Sequence, residues 1–446
     1  MTDTIFALAT APGKAALAIV RVSGPAAAAV LAAIADGPAV PRRATLRTLR
    51  APDGSVLDRG LALLFPGPGS FTGEDCVELH LHGGPAVVDA VGEALVGAGV
   101  RPAEPGEFTR RAFENGKLDL DQAEAVADLI DAESAAQARQ ALGQLEGSLG
   151  RRYGQWRNAL LTILGSLEAA VDFPDEEVPT DVADRARAPL ERLLGDLAQA
   201  LDDRTRGQRI REGYRVAIIG APNAGKSTLL NLLAGRDAAI VTDTPGATRD
   251  VIEIPFDMSG YRVILADTAG VREASDPVEV EGVRRAKAWA TGADLRIWVV
   301  DRASSDGAWR QPGALVAAGD IALFSKADLT AGKDYRPALG AAGSIGADVF
   351  ELSLIGGDPS ELRTALSARV VRDLSGAEFP AVTRRRHQQL LAQAHDHLAR
   401  AVTAFGRPEL VAEDVRLAAR TLAAVTGRVG AEDILGEIFA TFCIGK

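Results

Sequence analysis

The chain has 446 residues, 47% of them hydrophobic, and a formal net charge of −11 at pH 7, so at roughly 100–200 residues per domain we expect about three domains. Its cysteines, Cys76 and Cys443, form no disulfide framework, and the acidic balance argues against a protein that coats nucleic acid while leaving room for a local basic face. No apolar run reaches the ~18 residues of a membrane span and no basic region precedes the first apolar stretch, so we expect a cytoplasmic protein outside the membrane.

The first part of the chain, residues 1–118, has the pattern of an α/β domain. Short apolar runs such as ALAIVRVSG and CVELHLHGG alternate with glycine and proline, and a helix is predicted from about Pro85 to Ala98. In CVELHLHGG, Glu78, His80 and His82 should share one face of a strand, because side chains alternate along a strand. A metal site is the less favoured interpretation of that face.

Long helical patterns without proline extend from about Asp119 to Pro174. Helical patterning returns from Thr383 to the end, where breaks at residues 406–408 and 427–430 predict about three helices. One helical face is expected to carry the following apolar residues: Leu142, Leu145, Leu149, Trp156, Leu160, Ile163 and Leu167.

These patterns predict an insertion. Residues 119–210 and 376–446 would form one helical domain, and residues 211–375 an α/β module placed within it. Any movement of the inserted module would be transmitted to the helices through two covalent connections.

A phosphate-binding loop lies inside the inserted module, where residues 220–227 read GAPNAGKS and match G-x-x-x-x-G-K-S. Gly220 and Gly225 allow the backbone N–H groups to face a β-phosphate, Lys226 would span the β and γ oxygens, and Ser227 would ligate Mg2+. The alternative is a chance glycine loop. The flanking residues disfavour it, because they predict a buried strand at 214–219 and a helix at 227–234.

Three later segments follow in the order that a GTPase requires. Thr248, in TDTPGATRD, is placed to complete the Mg2+ shell and to sense the γ-phosphate. Asp267 begins DTAG after an apolar run, which places a carboxylate at the end of a strand, and Gly270 is free to meet the γ-phosphate.

Guanine recognition is predicted at residues 325–328, which read SKAD. Asp328 can accept two hydrogen bonds from guanine and the stem of Lys326 can cover the ring. GTPases usually carry Asn where Ser325 stands, so weaker base affinity is expected. The alternative is a helix N-cap, because Ser-x-x-Asp is also a capping pattern. Ser353 and Leu354 would form the last turn at the base.

Val271 follows DTAG where signalling GTPases place a glutamine, so another group must position the attacking water. Asn223 offers a carbonyl oxygen near the β/γ bridge, a position suited to holding a monovalent cation. Glu279 lies in the acidic stretch REASDPVEVEG and is the candidate carboxylate, with a solvated run of charge as the alternative.

Several segments resemble the MnmE (TrmE) family of tRNA-modification GTPases: GAPNAGKS, DTPGATRD, DTAGVREASDPVE, ENGKLDLDQAEAVADLI and the terminal FCIGK. The resemblance implies a GTPase that acts with the FAD-containing partner MnmG (GidA), in a heterotetramer or larger complex. Together they would add a carboxymethylaminomethyl-type group to carbon 5 of the wobble uridine of certain tRNAs. The resemblance also implies a homodimer whose GTP hydrolysis is activated by K+. It implies an N-terminal α/β domain that binds a tetrahydrofolate derivative (5-formyl or 5,10-methylene). An all-α helical domain would follow, with a P-loop α/β G domain inserted in the helical domain.

Carried over by position, the resemblance makes Asn223, Thr242 and Thr244 the K+ ligands, Ser227 and Thr248 the Mg2+ ligands, and Glu279 the catalytic glutamate. Ala247 departs from the family, which often has threonine there, and weaker K+ dependence is expected. The implied GTP contacts are Asn223, Ala224, Gly225, Lys226, Ser227, Thr228, Thr242, Asp243, Thr244, Pro245, Gly246, Ala247, Thr248, Asp267, Thr268, Ala269, Gly270, Ser325, Lys326, Ala327 and Asp328.

The folate contacts implied by the resemblance are Arg21, Glu78, Lys117 and Lys446. Glu78 can accept from the amide and amino edge of a pterin, and cations suit the glutamate tail. Cys443 is either a nucleophile or an inert core residue.

Three alternatives stay open at this stage. The arginines at 384–386 are a tRNA contact or, more simply, a solvated helix start. The rival functions are a regulatory ribosome-assembly GTPase of the Era or Der type and a P-loop ATPase, which Asp328 disfavours.

Overall fold

A computed structural model describes residues 3–35, 40–172, 182–235, 252–267, 277–304, 307–376, 379–427 and 432–445. The chain divides into two compact units. Unit 1 comprises Met1–Asp131, Ala141–Gln199 and Arg386–Lys446, and unit 2 comprises Ala132–Gln140 and Ala200–Arg385. Among the described residues, no helix combines the length and apolarity that crossing a membrane requires.

Unit 1 begins with a six-stranded sheet and two covering helices. The strands are β1 (Ile5–Leu8), β2 (Ala18–Ser23), β3 (Thr45–Arg50), β4 (Val56–Phe65), β5 (Cys76–Leu81) and β6 (Arg101–Pro102), in the order β3-β4-β5-β2-β1-β6. Helices α1 (Ala27–Ile34) and α2 (Pro85–Gly97) contribute to its apolar core. The predicted alternation in β5 is confirmed, because Val77, Leu79 and Leu81 are buried while Glu78 and His80 are partly exposed.

The helices before and after the second sheet, of which α8 and the first part of α5 belong to unit 2, are α3 (Glu107–Glu114), α4 (Leu120–Ile130), α5 (Ala135–Leu145), α6 (Ser148–Asp172), α7 (Val182–Asp202), α8 (Arg204–Glu212), α14 (Arg385–Thr403), α15 (Pro408–Val425) and α16 (Glu432–Ala440). The last three end and begin at the breaks predicted from the sequence. Helices α6 and α15 pack against each other within unit 1.

The expected helical face from Leu142 to Leu167 is wrong at its start. The helix breaks before Ser148, where Gly147 adopts a left-handed φ of 80°. Leu142 therefore belongs to a separate helix, α5, and is 45% exposed. A periodic pattern cannot distinguish one continuous helix from two successive helices when a single glycine turns the chain.

The arginine run at 384–386 agrees with a solvated helix start at Arg385, which is exposed and begins α14, but Arg386 differs from both sequence interpretations. Arg386 pairs with Glu124 of α4, with Nη2 3.0 Å from Oε2, and donates to the carbonyl of Val425 at 2.9 Å. His387 has its Nε2 3.0 Å from the same carboxylate oxygen and is fully buried. Arg386 is thus an interior ion-pair residue that joins α14 to α4 and to the end of α15.

Unit 2 contains a second six-stranded sheet, with strands β7 (Tyr214–Gly220), β8 (Ile252–Met258), β9 (Tyr261–Asp267), β10 (Leu295–Asp301), β11 (Ile321–Ser325) and β12 (Asp348–Leu352). Its order is β12-β11-β10-β7-β9-β8, and all neighbours are parallel except β8 and β9. The helices are α9 (Lys226–Ala234), α10 (Pro277–Thr291), α11 (Arg310–Gly313), α12 (Tyr335–Ile345) and α13 (Ser360–Leu374). Apolar clusters cover both faces, as parallel sheets require.

Asp121 is a fully buried carboxylate in the first turn of α4. Neither of its oxygens has a hydrogen-bond partner within the described part of the chain. Burial, reinforced by the nearby Asp119 carboxylate, raises the pKa of Asp121 from 3.8 to about 7. The native state therefore holds a proton that the unfolded state has already released between about pH 4 and 7.

This proton predicts a pH dependence of stability. Because the native pKa of Asp121 lies above its unfolded value, its contribution destabilises the fold as pH rises from about 4 to 7 and is constant above that. Asp121→Asn should remove this decline and raise the free energy of unfolding at pH 8 by up to about 4 kcal/mol. Urea unfolding at pH 5 and pH 8 measures the difference. Asp131→Asn, at the exposed end of the same helix, is the control, and an equal pH slope in Asp121→Asn and wild type would contradict the assignment.

Candidate nucleotide-binding site

The phosphate loop connects the central strand β7 to α9, as the sequence predicts. β7 ends at Gly220, where a Cβ would lie 2.4 Å from the carbonyl oxygen of Val299, so a side chain does not fit. Asn223 and Gly225 turn the chain with φ of 61° and 101°. Helix α9 then begins at Lys226, and its first backbone N–H groups face the loop.

The Ser227 hydroxyl and the Asp267 carboxylate lie together beside the loop. The Ser227 hydroxyl donates to Oδ2 of Asp267 at 2.6 Å, because β9 runs parallel to β7 and delivers its last residue to the same edge. The other oxygen of Asp267, Oδ1, is buried and has no hydrogen-bond partner within the described ranges. A hydroxyl and an unsatisfied carboxylate oxygen suit a hard cation, so these two residues fit Mg2+.

Lys226 is buried and its ammonium group donates to the carbonyl of Ala221 at 2.9 Å. Burial lowers the pKa of Lys226, and the negative charge of Asp267 opposes that shift. A desolvated cation held at the loop by one carbonyl is suited to exchange that carbonyl for phosphate oxygens.

The segment predicted to recognise the base, residues 325–328, begins at the end of β11. Lys326 has a φ of 57° and its Nζ lies 2.6 Å from Oδ2 of Asp301, the last residue of β10. Asp328 is exposed, as a contact to a base requires. The alternative of a helix N-cap at Ser325 is wrong, because the residue ends β11 and the next helix, α12, begins only at Tyr335.

Part of the predicted site lies outside the described residues: Thr242, Asp243, Thr244, Pro245, Gly246, Ala247, Thr248, Thr268, Ala269, Gly270 and Lys446. Glu279 falls within α10, and its side chain is outside the described set. The roles given to these residues stay predictions. The structure does bring together the loop residues 223–228, Asp267 and the segment 325–328 at one edge of the sheet.

A second polar surface lies on the sheet of unit 1, where Arg21 of β2 and Glu78 of β5 are register partners. Arg21 donates through Nε at 3.1 Å and Nη2 at 2.9 Å, and both bonds end on Oε1. Oε2 of Glu78 lies 3.5 Å from Nε2 of His80. Lys117 donates to the carbonyl of Pro68 at 2.9 Å, and the Phe71 ring lies 5.7 Å from the Arg21 guanidinium.

The C-terminal tail reaches the same sheet. A Cβ on Gly445 would lie 2.3 Å from the carbonyl oxygen of Leu8, at the end of β1, so the tail backbone is pressed against that strand. The Cys443 carbonyl accepts from the N–H of Gly106 at 3.4 Å. Cys443 itself is exposed, so its interpretation as an inert core cysteine is wrong.

One contributor has no signal in the sequence: Asp301, whose Oδ2 lies 2.6 Å from Nζ of Lys326. This contact depends on the order of β10 and β11 in the sheet, which no local pattern specifies. Two residues that the sequence did single out make contacts that it did not specify, because Leu354 packs on Gly225 and His80 lies beside Glu78.

A parallel sheet whose central strand runs through a glycine-turned loop into a helix, with a serine hydroxyl on an acidic residue of the neighbouring strand, defines a P-loop nucleoside triphosphatase. Comparison with known proteins then identifies the family. The protein-family model described as "MnmE helical domain" matches residues 120–443, and the family model described as "GTP-binding protein TrmE N-terminus" matches residues 4–117.

Curated relatives match the whole chain. It is 57% identical to tRNA modification GTPase MnmE of Phenylobacterium zucineum and 56% identical to that of Caulobacter vibrioides, in each case with 100% of both chains covered. The corresponding protein of Maricaulis maris is 50% identical over the same share. The chain belongs to the MnmE family of tRNA modification GTPases. The predicted fold class and the assignment as a GTP hydrolase are confirmed at the level of this family.

The turn at Gly225 generates a prediction. Gly225→Ala should weaken GDP binding by about tenfold or more, because an alanine at φ 101° is strained and its Cβ would lie 2.7 Å from Cδ1 of Leu354. Titration with a fluorescent GDP analogue measures the effect. Gly340→Ala is the matched control, since its Cβ meets nothing within 4 Å in α12 and the affinity should not change. Equal affinities for the two variants would show that the loop tolerates a side chain.

Proposed function

We propose that the chain hydrolyses GTP and thereby drives modification of carbon 5 of the wobble uridine of certain tRNAs. The observation that carries the proposal is the contact between Ser227 and Asp267 beside the phosphate loop, in a chain whose full-length relatives are named tRNA modification GTPases. Asp328 supplies the carboxylate that selects guanine over adenine. The product is a carboxymethylaminomethyl-type group, formed together with the partner MnmG.

The catalytic arrangement follows from the residues at the edge of the sheet. Lys226 would bind the β and γ oxygens, and Ser227 with Thr248 would hold Mg2+, which neutralises phosphate charge during transfer. Since Val271 cannot orient water, we assign that role to Glu279 in α10. Asn223, with Thr242 and Thr244, would hold K+ where other GTPases insert an arginine. Asn223 is exposed at a left-handed turn, which leaves its amide oxygen accessible.

The sheet of unit 1 is the proposed folate site. Both Arg21 bonds end on one oxygen of Glu78, so Oε2 is left to accept from the amide and amino edge of a pterin. Lys117 and Lys446 would meet the carboxylates of the glutamate tail. The bound form would be 5-formyl or 5,10-methylene tetrahydrofolate, which supplies the one-carbon unit.

The proposed assembly is a homodimer that binds MnmG and tRNA. The rival interpretation, a ribosome-assembly GTPase of the Era or Der type, finds no support among the relatives described above. A tRNA contact through Arg386 is not proposed, because that side chain is committed to Glu124 inside the helical region.

The direct test compares nucleosides from total tRNA in cells with and without this chain, using liquid chromatography and mass spectrometry. Loss of the C5-modified wobble uridine, restored by the wild-type chain, is the expected result. Unchanged modification in the deleted strain would refute the proposed function. Competition with ATP tests the base, because ATP that displaces bound GDP as well as GTP does would support a P-loop ATPase.

Glu279 provides a separate prediction. Glu279→Ala should lower the GTP hydrolysis rate by at least about a hundredfold while GDP and GTP affinities stay within about twofold, because a general base acts on the reaction and not on binding. Phosphate release and nucleotide titration measure the two quantities. Glu361→Ala, at the exposed start of α13, is the control. A loss of nucleotide affinity in Glu279→Ala would make the residue structural.

A further inference from the structure

Ser325 stands where a base contact was expected, and its hydroxyl is already engaged. Oγ donates to the carbonyl oxygen of Ala224 at 2.6 Å, across a sequence separation of 101 residues, and lies 3.2 Å from the carbonyl oxygen of Val300. Ser325 is fully buried, as is Ala224. The hydroxyl therefore ties the end of β11 to the phosphate loop.

The chemistry of a hydroxyl limits what Ser325 can do in addition. It has one proton, and that proton is directed to a carbonyl in a short bond. Zero exposure leaves no path from Oγ to a base that would lie over the exposed Asp328. Because a buried carbonyl that loses its donor carries a desolvation penalty, the bond to Ala224 is costly to replace.

Leu354 contacts the same stretch of the loop. Its Cδ1 lies 2.7 Å from the position of a Cβ on Gly225, and the Cβ and Oγ of Ser325 lie 3.9 Å from that position. The phosphate loop is thus held at Ala224 by a hydrogen bond and covered at Gly225 by an apolar side chain. Both supports come from the side of the sheet that carries the base-recognition loops.

We propose that Ser325 is a positioning residue that holds the phosphate loop in its nucleotide-binding conformation and does not contact the base, so that guanine selection rests on Asp328. The proposal rests on the proposed function, because it assumes that GDP and GTP bind at this loop. It separates two tasks, positioning of the loop and reading of the base, between two residues of one short segment.

The test uses the full chain and the dissociation rates of fluorescent GDP and IDP, which differ by the exocyclic amine of guanine. Ser325→Ala should raise both rates about tenfold and leave the preference for GDP over IDP unchanged, because a lost hydrogen bond is worth about that factor. Asp328→Ala should instead reduce the preference for GDP over IDP. Ser325→Thr keeps the hydroxyl, so its GDP and IDP dissociation rates should stay within about threefold of the wild-type rates.

The controls separate positioning from loss of fold. Ser344→Ala removes an exposed hydroxyl bonded to the carbonyl of Gly340 and should change neither rate. If Ser325→Ala does not fold, Ser325→Cys and Ser325→Thr decide, since both add bulk and only threonine is a strong donor; faster release from the cysteine variant alone supports the proposal. A smaller GDP preference in Ser325→Ala, or unchanged rates, would overturn it. Absence of GDP binding by the wild-type chain would refute the proposed function instead.

Discussion

The nucleotide site depends on the close approach of β7 to its neighbour β10. At Gly220 the backbone lies against the carbonyl of Val299, and any side chain would separate the two strands. This packing fixes where β7 ends and therefore where the phosphate loop begins. The left-handed turn at Gly225 then returns the chain to a helix. Glycine at both positions is a steric requirement of the sheet as well as a feature of phosphate binding.

The parallel order of the strands brings the other residues of the site together. The carboxyl ends of β7, β9, β10 and β11 lie at one edge, so residues far apart in sequence meet there. Asp267 reaches Ser227, and Ser325 reaches Ala224. The loop is therefore held on both sides, by a carboxylate suited to a cation and by a hydroxyl on the base side. Rigid support from two strands is what a preorganised phosphate site needs.

Local patterns were sufficient where one element decides the outcome. The buried run of β7, the alternation in β5 around Glu78 and the three C-terminal helices were all predictable from periodicity and punctuation. The contacts of Arg386 with Glu124 and of Ser325 with Ala224 were not predictable, because the partners are distant in sequence. A charge run or a capping pattern describes neighbours along the chain. It contains no information about a carboxylate that another helix brings into the interior.

The predicted insertion of residues 211–375 requires that the two ends of that segment lie close together, and one hydrogen bond within unit 2 joins residues near those ends. The hydroxyl of Tyr214, the first residue of β7, donates to Oδ2 of Asp373 near the end of α13 at 2.7 Å. Arg369 donates to the same oxygen at 3.0 Å. The strand that leads to the phosphate loop is thus fixed at its start to the end of α13. A displacement of β7 would have to break this contact or carry α13 with it.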